Sequence, residues 1–448
     1  MKFKPYSKNK DSGIKWVREI PEGWKTHRLK FLLSSLESGS RETGGGNQLD
    51  EGIFSLGGEH INWDGTLNLE NPRLISEEYY NSMNQGKIKI NDVLLVKDGA
   101  TIGKTAILIK KEFEKIAVNE HVFLMRSNKR IDPKLLYYLI CSDFGFKQIK
   151  LTEVGSAQGG INQDFIAKVY FSIPKDKQGQ STITSFLDKK TTEIDELIKK
   201  DKKLIELLKE KRTILINNAV TKGLDSNAKL KESGIQLIEK IPENWNAMKL
   251  KHIVSRKITD GPHETPEFID EGVLFISAEA IKKDKIDFSK MRGYITKQVH
   301  KIYCAKCKPR KDDIFLVKSG ATTGNVAIVE TNDEFSIWSP LALIRSNKEK
   351  ILPKLLYYIL LTDYFKKTIE LSWSFGTQQN IGMSVIENLN IIIPSISQQN
   401  YLLNYLNQAT AKIDETIQKI EQKIKLLEEY KKSLIHHVVT GKVDVREV

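Results

Sequence analysis

The sequence predicts an α+β protein made of two tandem globular domains and two long helices, and three observations lead to that prediction. Most of the 448 residues belong to two related copies about 220 residues apart, and this period is too long for a solenoid. Each copy is followed by a segment whose apolar residues recur every three or four positions, as in a coiled coil. The length allows about three units at roughly 150 residues per domain.

The duplication is clearest in three stretches. Residues 12–33 and 233–254 are identical at nine of 22 positions, and residues 92–108 and 313–329 at 10 of 17. The hexapeptide Pro-Lys-Leu-Leu-Tyr-Tyr occurs in both copies. Between these stretches the copies diverge, which indicates a common scaffold with variable loops and two distinct recognition tasks. Neutral drift after duplication is the alternative explanation.

Each copy contains signals for both strands and helices. Apolar runs bounded by Gly or Asp predict strands at 53–56, 93–96, 106–109, 169–173, 273–276, 314–317 and 327–329. Pro133 and Pro353 stand where the first residue of a helix is expected. We therefore predict α+β domains over residues 1–178 and 223–398.

The segments 179–222 and 399–448 are predicted to hold the two long helices, each about 34 residues long by the extent of its stripe. The seam positions carry Leu187, Ile194, Ile198, Ile205, Leu208 and Leu215 in the first and Leu406, Ile413, Ile417, Ile420, Ile424, Leu427 and Leu434 in the second. Because the chain alternates domain and helix, the two helices are expected to pair antiparallel about an approximate two-fold axis. Two separate helices, each covering its own domain, are the alternative.

Composition narrows the class of protein. The net charge of +13 and a pI near 9.2 favour a polyanionic partner. The start of the chain lacks the apolar stretch of a signal peptide and no apolar run approaches 18 residues, so we expect a cytoplasmic protein without membrane contact. Three cysteines exclude a disulfide scaffold, and Cys304 with Cys307 lacks the second ligand pair of a zinc finger, so no metal is expected.

Motifs for catalysis are mostly absent. Residues 99–105 resemble a phosphate-binding P-loop, but only three residues separate the glycines, and residues 320–326 lack its Lys and Thr. We instead predict a tight loop between two strands, named here the GAT loop (residues 97–104 and 318–325). The two copies share mainly Gly, Pro, Trp and apolar residues, which predicts a non-catalytic chain with no catalytic residue.

These features together resemble the specificity subunit of type I restriction–modification enzymes. The resemblance rests on the duplicated D-[VI]-[LF]-L-V-K-x-G-A-T-x-G motif, an Ile-Pro followed by Gln, and a long helix after each domain, and it covers residues 12–440. The chain departs from the usual Pro-Leu-x-Glu-Gln, having Pro-Lys-Asp-Lys-Gln at 174–178 and Pro-Ser-Ile-Ser-Gln at 394–398. The missing Glu puts in doubt any partner contact that it makes, not the fold.

The resemblance implies a function. Each target-recognition domain is expected to read one half of a bipartite, asymmetric site in double-stranded DNA, with the coiled coil setting the spacer. Two modification (methyltransferase) subunits and two restriction (translocase and nuclease) subunits are the implied partners, performing adenine methylation or restriction. S-adenosylmethionine, ATP and magnesium are expected in those partners, and no cofactor in this chain.

DNA-facing residues are expected on turn-forming, polar loops at equivalent points of the two copies. They are Ser55, Gly57, Glu59, His60, Lys97, Asp98, Thr101, Lys104 and Gln158 in the first, and Ser277, Glu279, Lys318, Ser319, Thr322, Thr323, Asn325, Gln378 and Gln379 in the second. Two other functions stay open. A coiled-coil adaptor that binds only proteins would leave the basic charge unexplained, and a self-sufficient nuclease or NTPase conflicts with the degraded second loop.

Overall fold

The computed structural model describes residues 4–14, 18–42, 49–110, 113–155, 159–282, 284–372 and 379–446. The chain divides into two units, residues 1–201 with 422–448 and residues 202–421. Each unit therefore combines one globular domain with a part of each long helix, as the predicted fold class requires. Within the described residues, no helix is long and apolar enough to cross a membrane.

The domain of the first unit mixes short strands and short helices. Its strands are β1 (Asn9–Asp11), β2 (Glu19–Pro21), β3 (Trp24–Arg28), β4 (Leu33–Ser38), β5 (Ile53–Leu56), β6 (Leu74–Ile75), β7 (Val93–Val96), β8 (Thr105–Ile107), β9 (Ile116–Val118), β10 (Val122–Ser127) and β11 (Tyr170–Pro174). Its helices are α1 (Glu77–Ser82), α2 (Pro133–Cys141), α3 (Asp143–Lys150) and α4 (Phe165–Lys168), and α5 (Lys177–Lys222) leaves the domain.

The second unit repeats this plan with more irregular strands. Its strands are β12 (Leu230–Ile235), β13 (Ile238–Pro242), β14 (Asn246–Lys249), β15 (Thr259–Asp260), β16 (Val273–Ile276), β17 (Ile281–Lys282), β18 (Lys285–Ile286), β19 (Gly293–Ile295), β20 (Ile314–Val317), β21 (Val326–Ile328), β22 (Phe335–Ile337), β23 (Leu341–Ile344) and β24 (Asn390–Ile393). Its helices are α6 (Lys297–Lys306), α7 (Pro353–Leu360), α8 (Asp363–Leu371) and α9 (Met383–Asn388), followed by α10 (Ile396–Val439).

A four-stranded antiparallel sheet lies at the centre of each domain, in the order β4-β10-β7-β8 and β15-β23-β20-β21. Side chains alternate between the two faces of a strand. Val93 and Leu95 accordingly join one hydrophobic core, and Leu94 and Val96 another. Ile314–Val317 is divided in the same way. Cores on both faces explain why these strands are uninterrupted apolar runs in the sequence.

The Ile-Pro and Trp residues that occur in both copies lie at the C-terminal ends of the long helices. Gly223 follows α5 and Gly441 lies just beyond α10, each with a positive φ that favours glycine after a helix. The backbone of Gly223 lies against Pro242 and Trp245, while Gly441 lies against Pro21 and Trp24. The two indoles are almost fully buried.

Each long helix is longer than its apolar stripe indicates, with 46 residues in α5 and 44 in α10. Both helices begin close to a proline at the end of the last strand: Pro174 is the final residue of β11, and Pro394 directly follows β24. Buried Gln180 donates to the Pro174 carbonyl over 3.0 Å and accepts from the Asp132 amide over 2.8 Å. Gln399 makes the equivalent bonds to Pro394 and Leu352. The glutamines that repeat in structure are therefore Gln180 and Gln399, not the Gln178 and Gln398 that follow Ile-Pro in the sequence pattern.

The predicted seam lies inside the protein. None of its residues is exposed: Leu187, Ile194, Ile198, Ile205, Leu406, Ile413, Ile417, Ile420 and Leu434 are buried, while Leu208, Leu215, Ile424 and Leu427 are half-buried. In the first unit the two helices run antiparallel, because Asp195 pairs with Lys431 at 2.7 Å and Asp201 with Lys423 at 2.9 Å. In the second unit Arg212 of α5 pairs with Asp414 of α10 at 3.0 Å.

Candidate nucleic-acid interface

In both units the GAT loop connects two neighbouring strands of the central sheet, as the sequence predicts. It joins β7 to β8 in the first unit and β20 to β21 in the second. The loop closes when the Gly103 amide donates to the Val96 carbonyl and the Gly324 amide to the Val317 carbonyl. Both glycines have positive φ, near 90°. A side chain at Gly103 would also collide with the ring of Phe146, so glycine is required there.

Three further segments surround the GAT loop of the first unit. The Lys97 amide donates to the His121 carbonyl, and Asp98 forms a β-bridge with Gly160. The His121 ring meets the Asp98 carboxylate at 2.7 Å. Arg41, three residues after β4 ends, pairs with Glu120 at 2.8 Å. Residues far apart in sequence thus form one polar surface around Lys97 and Asp98.

The second unit assembles the same four segments with different side chains. Ser319 bridges to Asn380, and the Gly320 amide donates to the Gln379 carbonyl over 3.2 Å. The Lys318 amide donates to the Pro340 carbonyl, and the Ser339 amide to the Pro262 carbonyl. The backbone arrangement is therefore shared between the units, while the side chains that it presents differ.

A buried carboxylate organises the charges in the second unit. Asp260 accepts a 2.7 Å hydrogen bond from Lys306 and lies 3.3 Å from the Lys318 ammonium and 3.2 Å from the His263 ring. Burial alone would raise the pKa of Asp260, but the hydrogen bond and charge of Lys306, with the charge of Lys318, lower it. Asp260 therefore stays ionised and holds these cations together.

Five of the predicted DNA-facing residues lie in the interior: Ser55, Gly57, His60, Ser277 and Lys318. His60 accepts from the Gly57 amide over 2.8 Å and donates to the Asn71 carbonyl over 3.0 Å. The Lys318 side chain is 11% exposed and forms an ion pair with Asp260. These residues lie in the interior and support the loops from inside rather than forming the exposed surface, and their contact with DNA stays a prediction.

The other predicted residues lie at the surface or are half-buried: Glu59, Lys97, Asp98, Thr101, Lys104, Glu279, Ser319, Thr322, Thr323, Asn325 and Gln379. Their DNA contact stays a prediction. Glu59 and Glu279 are each paired with an arginine, Arg73 and Arg292. The Lys97 ammonium lies 5.2 Å from the centre of the Phe123 ring. Gln158 and Gln378 lie outside the described residues.

Several residues of this surface were missed by the sequence analysis, among them Arg41, His121, His263 and Lys306. A signal for two of them was present. Gly39 and Gly261 open the same Gly-x-x-Glu-Thr pattern, at 39–43 and 261–265. A side chain at either glycine would collide with the backbone of the neighbouring strand end, at Val118 or Ile337. The pattern therefore marks a close backbone approach beside the GAT loop.

The described residues contain no group of three or more His, Cys, Asp or Glu side chains arranged to hold a metal ion. Cys141, Cys304 and Cys307 are free thiols. Cys304 lies 3.4 Å from the Nε2 atom of His300, and burial raises the pKa of both cysteines of this pair. Burial thus favours the protonated thiol at both positions, Cys304 within α6 and Cys307 directly after it.

Comparison with known proteins gives a family match over both copies. The model of the "Type I restriction modification DNA specificity domain" matches residues 21–207 and residues 242–426. The type I restriction enzyme MjaVIII specificity subunit of Methanocaldococcus jannaschii is 25% identical over 366 residues, which cover 80% of each chain. The putative type I restriction enzyme MjaX specificity subunit of the same organism is 26% identical over 439 residues, covering 96% of each.

Solved structures are similar over almost the whole chain. One chain, from a study of complex assembly and conformational transition of the type I R-M system, matches with a TM-score of 0.69 at 15% identity, covering 94% of this chain and 98% of its own. The HsdS subunit from Thermoanaerobacter tengcongensis matches with a TM-score of 0.50 at 14% identity, covering 95% and 98%. At these identities the likeness shows the fold.

Proposed function

The chain belongs to the type I restriction–modification DNA specificity family, and on that premise we propose that each of its units reads one half of a bipartite, asymmetric DNA site. The observation that carries the proposal is the surface around each GAT loop. The same four backbone segments meet there in both units, but Arg41 and His121 of the first correspond to His263 and Pro340 of the second, where Lys306 of α6 adds a cation. Different side chains on equivalent backbone segments would contact different bases, so each unit would recognise a different DNA half-site.

The net charge of +13 supports binding to a polyanion, because lysines and arginines that meet phosphates release counterions from DNA. In this proposal, exposed cations near the GAT loops position the duplex and polar side chains read the base edges. The paired helices α5 and α10 set the spacer between the half-sites. Half-sites that are read by two joined modules lie about one helical turn, ~34 Å, apart, or a multiple of that distance.

In this proposal the chain itself catalyses no reaction. Two modification subunits and two restriction subunits, which the family resemblance implies, bind it and carry S-adenosylmethionine, ATP and magnesium. The chain then directs adenine methylation or restriction by choosing the sequence. In support, the two GAT loops share only one ionisable residue, Lys97 in the first and Lys318 in the second, while Asp98 and Lys104 of the first are Ser319 and Asn325 in the second.

Lys104 and Lys318 make a matched pair of variants that tests DNA binding. The Lys104 side chain is half-buried and has no hydrogen-bond or ion-pair partner among the described residues. Lys104→Ala should weaken binding several-fold for all sequences and lower the slope of log affinity against log salt by about one. Its stability should change by no more than about 0.5 kcal/mol. Binding isotherms at several salt concentrations, with an urea unfolding curve, measure both.

Lys318→Ala, in contrast, should act mainly on the stability of the protein. It leaves buried Asp260 without one of its cations, so we expect a loss of about 1–3 kcal/mol in the stability of the second unit. The loss is limited because Lys306 keeps its contact with Asp260. Unchanged affinity and salt slope in Lys104→Ala would show that the first GAT loop does not contact DNA. Undiminished stability in Lys318→Ala would contradict the buried pair of Lys318 and Asp260.

A further inference from the structure

In the second unit a single cation joins three elements. Arg212, on α5, lies 3.0 Å from Asp414 on α10 through its Nε atom and 3.0 Å from Asp284 through Nη1. Asp284 belongs to the turn between β17 and β18 in the recognition domain. The same arginine therefore binds one helix to its partner and binds both to the globular domain.

Asp284 itself makes further contacts with the rest of the recognition domain. Asp284 has a φ of 74°, uncommon for a residue other than glycine, and its carbonyl accepts a 2.6 Å hydrogen bond from the Tyr357 hydroxyl of α7. It also forms a β-bridge with Ala327 of the central sheet, two residues after the GAT loop ends at Asn325. A continuous series of contacts thus runs from the helix pair through Asp284 to the sheet that carries the GAT loop.

The Arg212 contact is shielded from water. The Arg212 side chain is only 18% exposed and that of Asp284 31%, against 46% for Asp414. Charge-assisted hydrogen bonds are stronger than neutral ones, and removing one partner of a shielded pair leaves the other poorly solvated. Guanidinium also offers several donors in one plane, which allows it to bind two carboxylates in a fixed geometry.

The first unit has a related arrangement with the helices exchanged. Lys431, now on α10 and also 18% exposed, contacts both carboxylate oxygens of Asp195 on α5 at 2.7 Å. The acidic residue of the recognition domain is Asp64, at the tip of the loop between Ile61 and Leu67. Burial would raise the pKa of Asp64, but hydrogen bonds from Thr66 and the charge of Lys431 lower it. Lys431 thus acts on Asp64 electrostatically, without a direct ion pair.

We propose that Arg212 is a positioning residue that fixes the orientation of the second recognition domain on the helix pair, and so restricts the length of DNA spacer that the protein accepts. The three residues Arg212, Asp284 and Asp414 are called the clamp. The inference rests on the proposed function, because it concerns the gap between two half-sites. It goes further by assigning part of the spacing to a contact between domain and helix, in addition to the length of the helices.

The clamp offers two isosteric variants that separate its two contacts. Asp284→Asn removes the charge that holds the domain and leaves the pairing of Arg212 with Asp414. Asp414→Asn removes the charge between the helices and leaves the contact with the domain. Each full-length variant, assembled with its partner subunits, is offered duplexes that carry one pair of half-sites with gaps varied by single base pairs, and bound DNA is counted by sequencing. Thermal unfolding of the same samples reports stability.

Asp284→Asn should lower the discrimination against a gap one base pair longer or shorter at least about tenfold, with the preference for both half-site sequences unchanged. Asp414→Asn should keep the wild-type gap. An Asp284→Asn protein that folds and keeps the wild-type gap distribution would overturn the clamp, as would equal relaxation in both variants. A wild-type protein without any bipartite preference would instead refute the proposed function, so the two failures are distinguishable. Arg212→Lys, if Asp284→Asn does not fold, should relax the gap in the same direction.

Discussion

Inserting one heptad into each long helix should widen the preferred gap between the two half-sites by about three base pairs. Seven residues add roughly 10 Å to a helix at 1.5 Å per residue, and a base pair advances about 3.4 Å along the duplex. A whole heptad keeps the apolar seam in phase. Equal insertions in α5 and α10 keep an antiparallel pair matched in length.

The ion pairs of the helices locate the insertions. In α5 the heptad belongs between Asp201 and Arg212, and in α10 between Asp414 and Lys423, so that every helix-to-helix ion pair inside each unit keeps its local surroundings. Methylation of duplexes with graded gaps by the assembled complex measures the preference. Insertion of two residues is the control, because it rotates the seam and should destabilise the helices. If the heptad variant folds and still methylates only the original gap, the helices do not set the spacer.

Exchanging residues 34–165 for the equivalent region of a related protein should change one half of the recognised sequence and leave the other half unchanged. The exchanged region contains β5 to β10 and the GAT loop of the first unit, together with the whole of the core formed around Phe54, Leu94 and Val118. It leaves α5, α10 and the second unit intact. The expected change is therefore a complete switch of one half-site at a constant gap.

The exchange also cuts through the second core of that domain, to which Val93 and Phe123 belong together with Phe171 of β11 and Leu187 of α5. A donor region with matching apolar residues at these positions avoids a cavity, which would cost about 2–5 kcal/mol for a large side chain. Sequencing of the methylated sites gives both half-sites at once. A change in both halves, or in the gap, would contradict independent reading by the two units.

Elements with strong local patterns were predictable. The β7 and β20 runs appear in the sequence at their observed bounds because both faces of each strand are buried, and the α2 and α7 helices because a proline begins each one. The long helices were predictable from a stripe that recurs every three or four residues. Their first turns were missed because Gln180 and Gln399 hold them through polar bonds to the domains, which apolar periodicity does not report.

The recognition surface was harder to predict, because its parts are distant in sequence. Lys318 looks like an exposed cation in a polar loop, yet it is buried against Asp260, 58 residues earlier in the chain. The clamp could not be predicted either, because its residues are also distant in sequence. Arg212 interrupts the apolar seam with a polar residue, and Asp284 lies in a region that the two copies do not share. Helix α6 was also missed, because its counterpart α1, which begins 220 residues earlier, is shorter and differs in sequence.

The most direct test of the account is sequencing of modified bases in the DNA of a cell that carries this chain with its partner subunits. We expect one methylated motif with two specific half-sites separated by a fixed number of unspecified base pairs. The motif should disappear when the gene for this chain is deleted and return when it is restored. A continuous motif without a gap, or a bipartite motif that persists in the deletion strain, would contradict the claim that its two units read the two halves of the site.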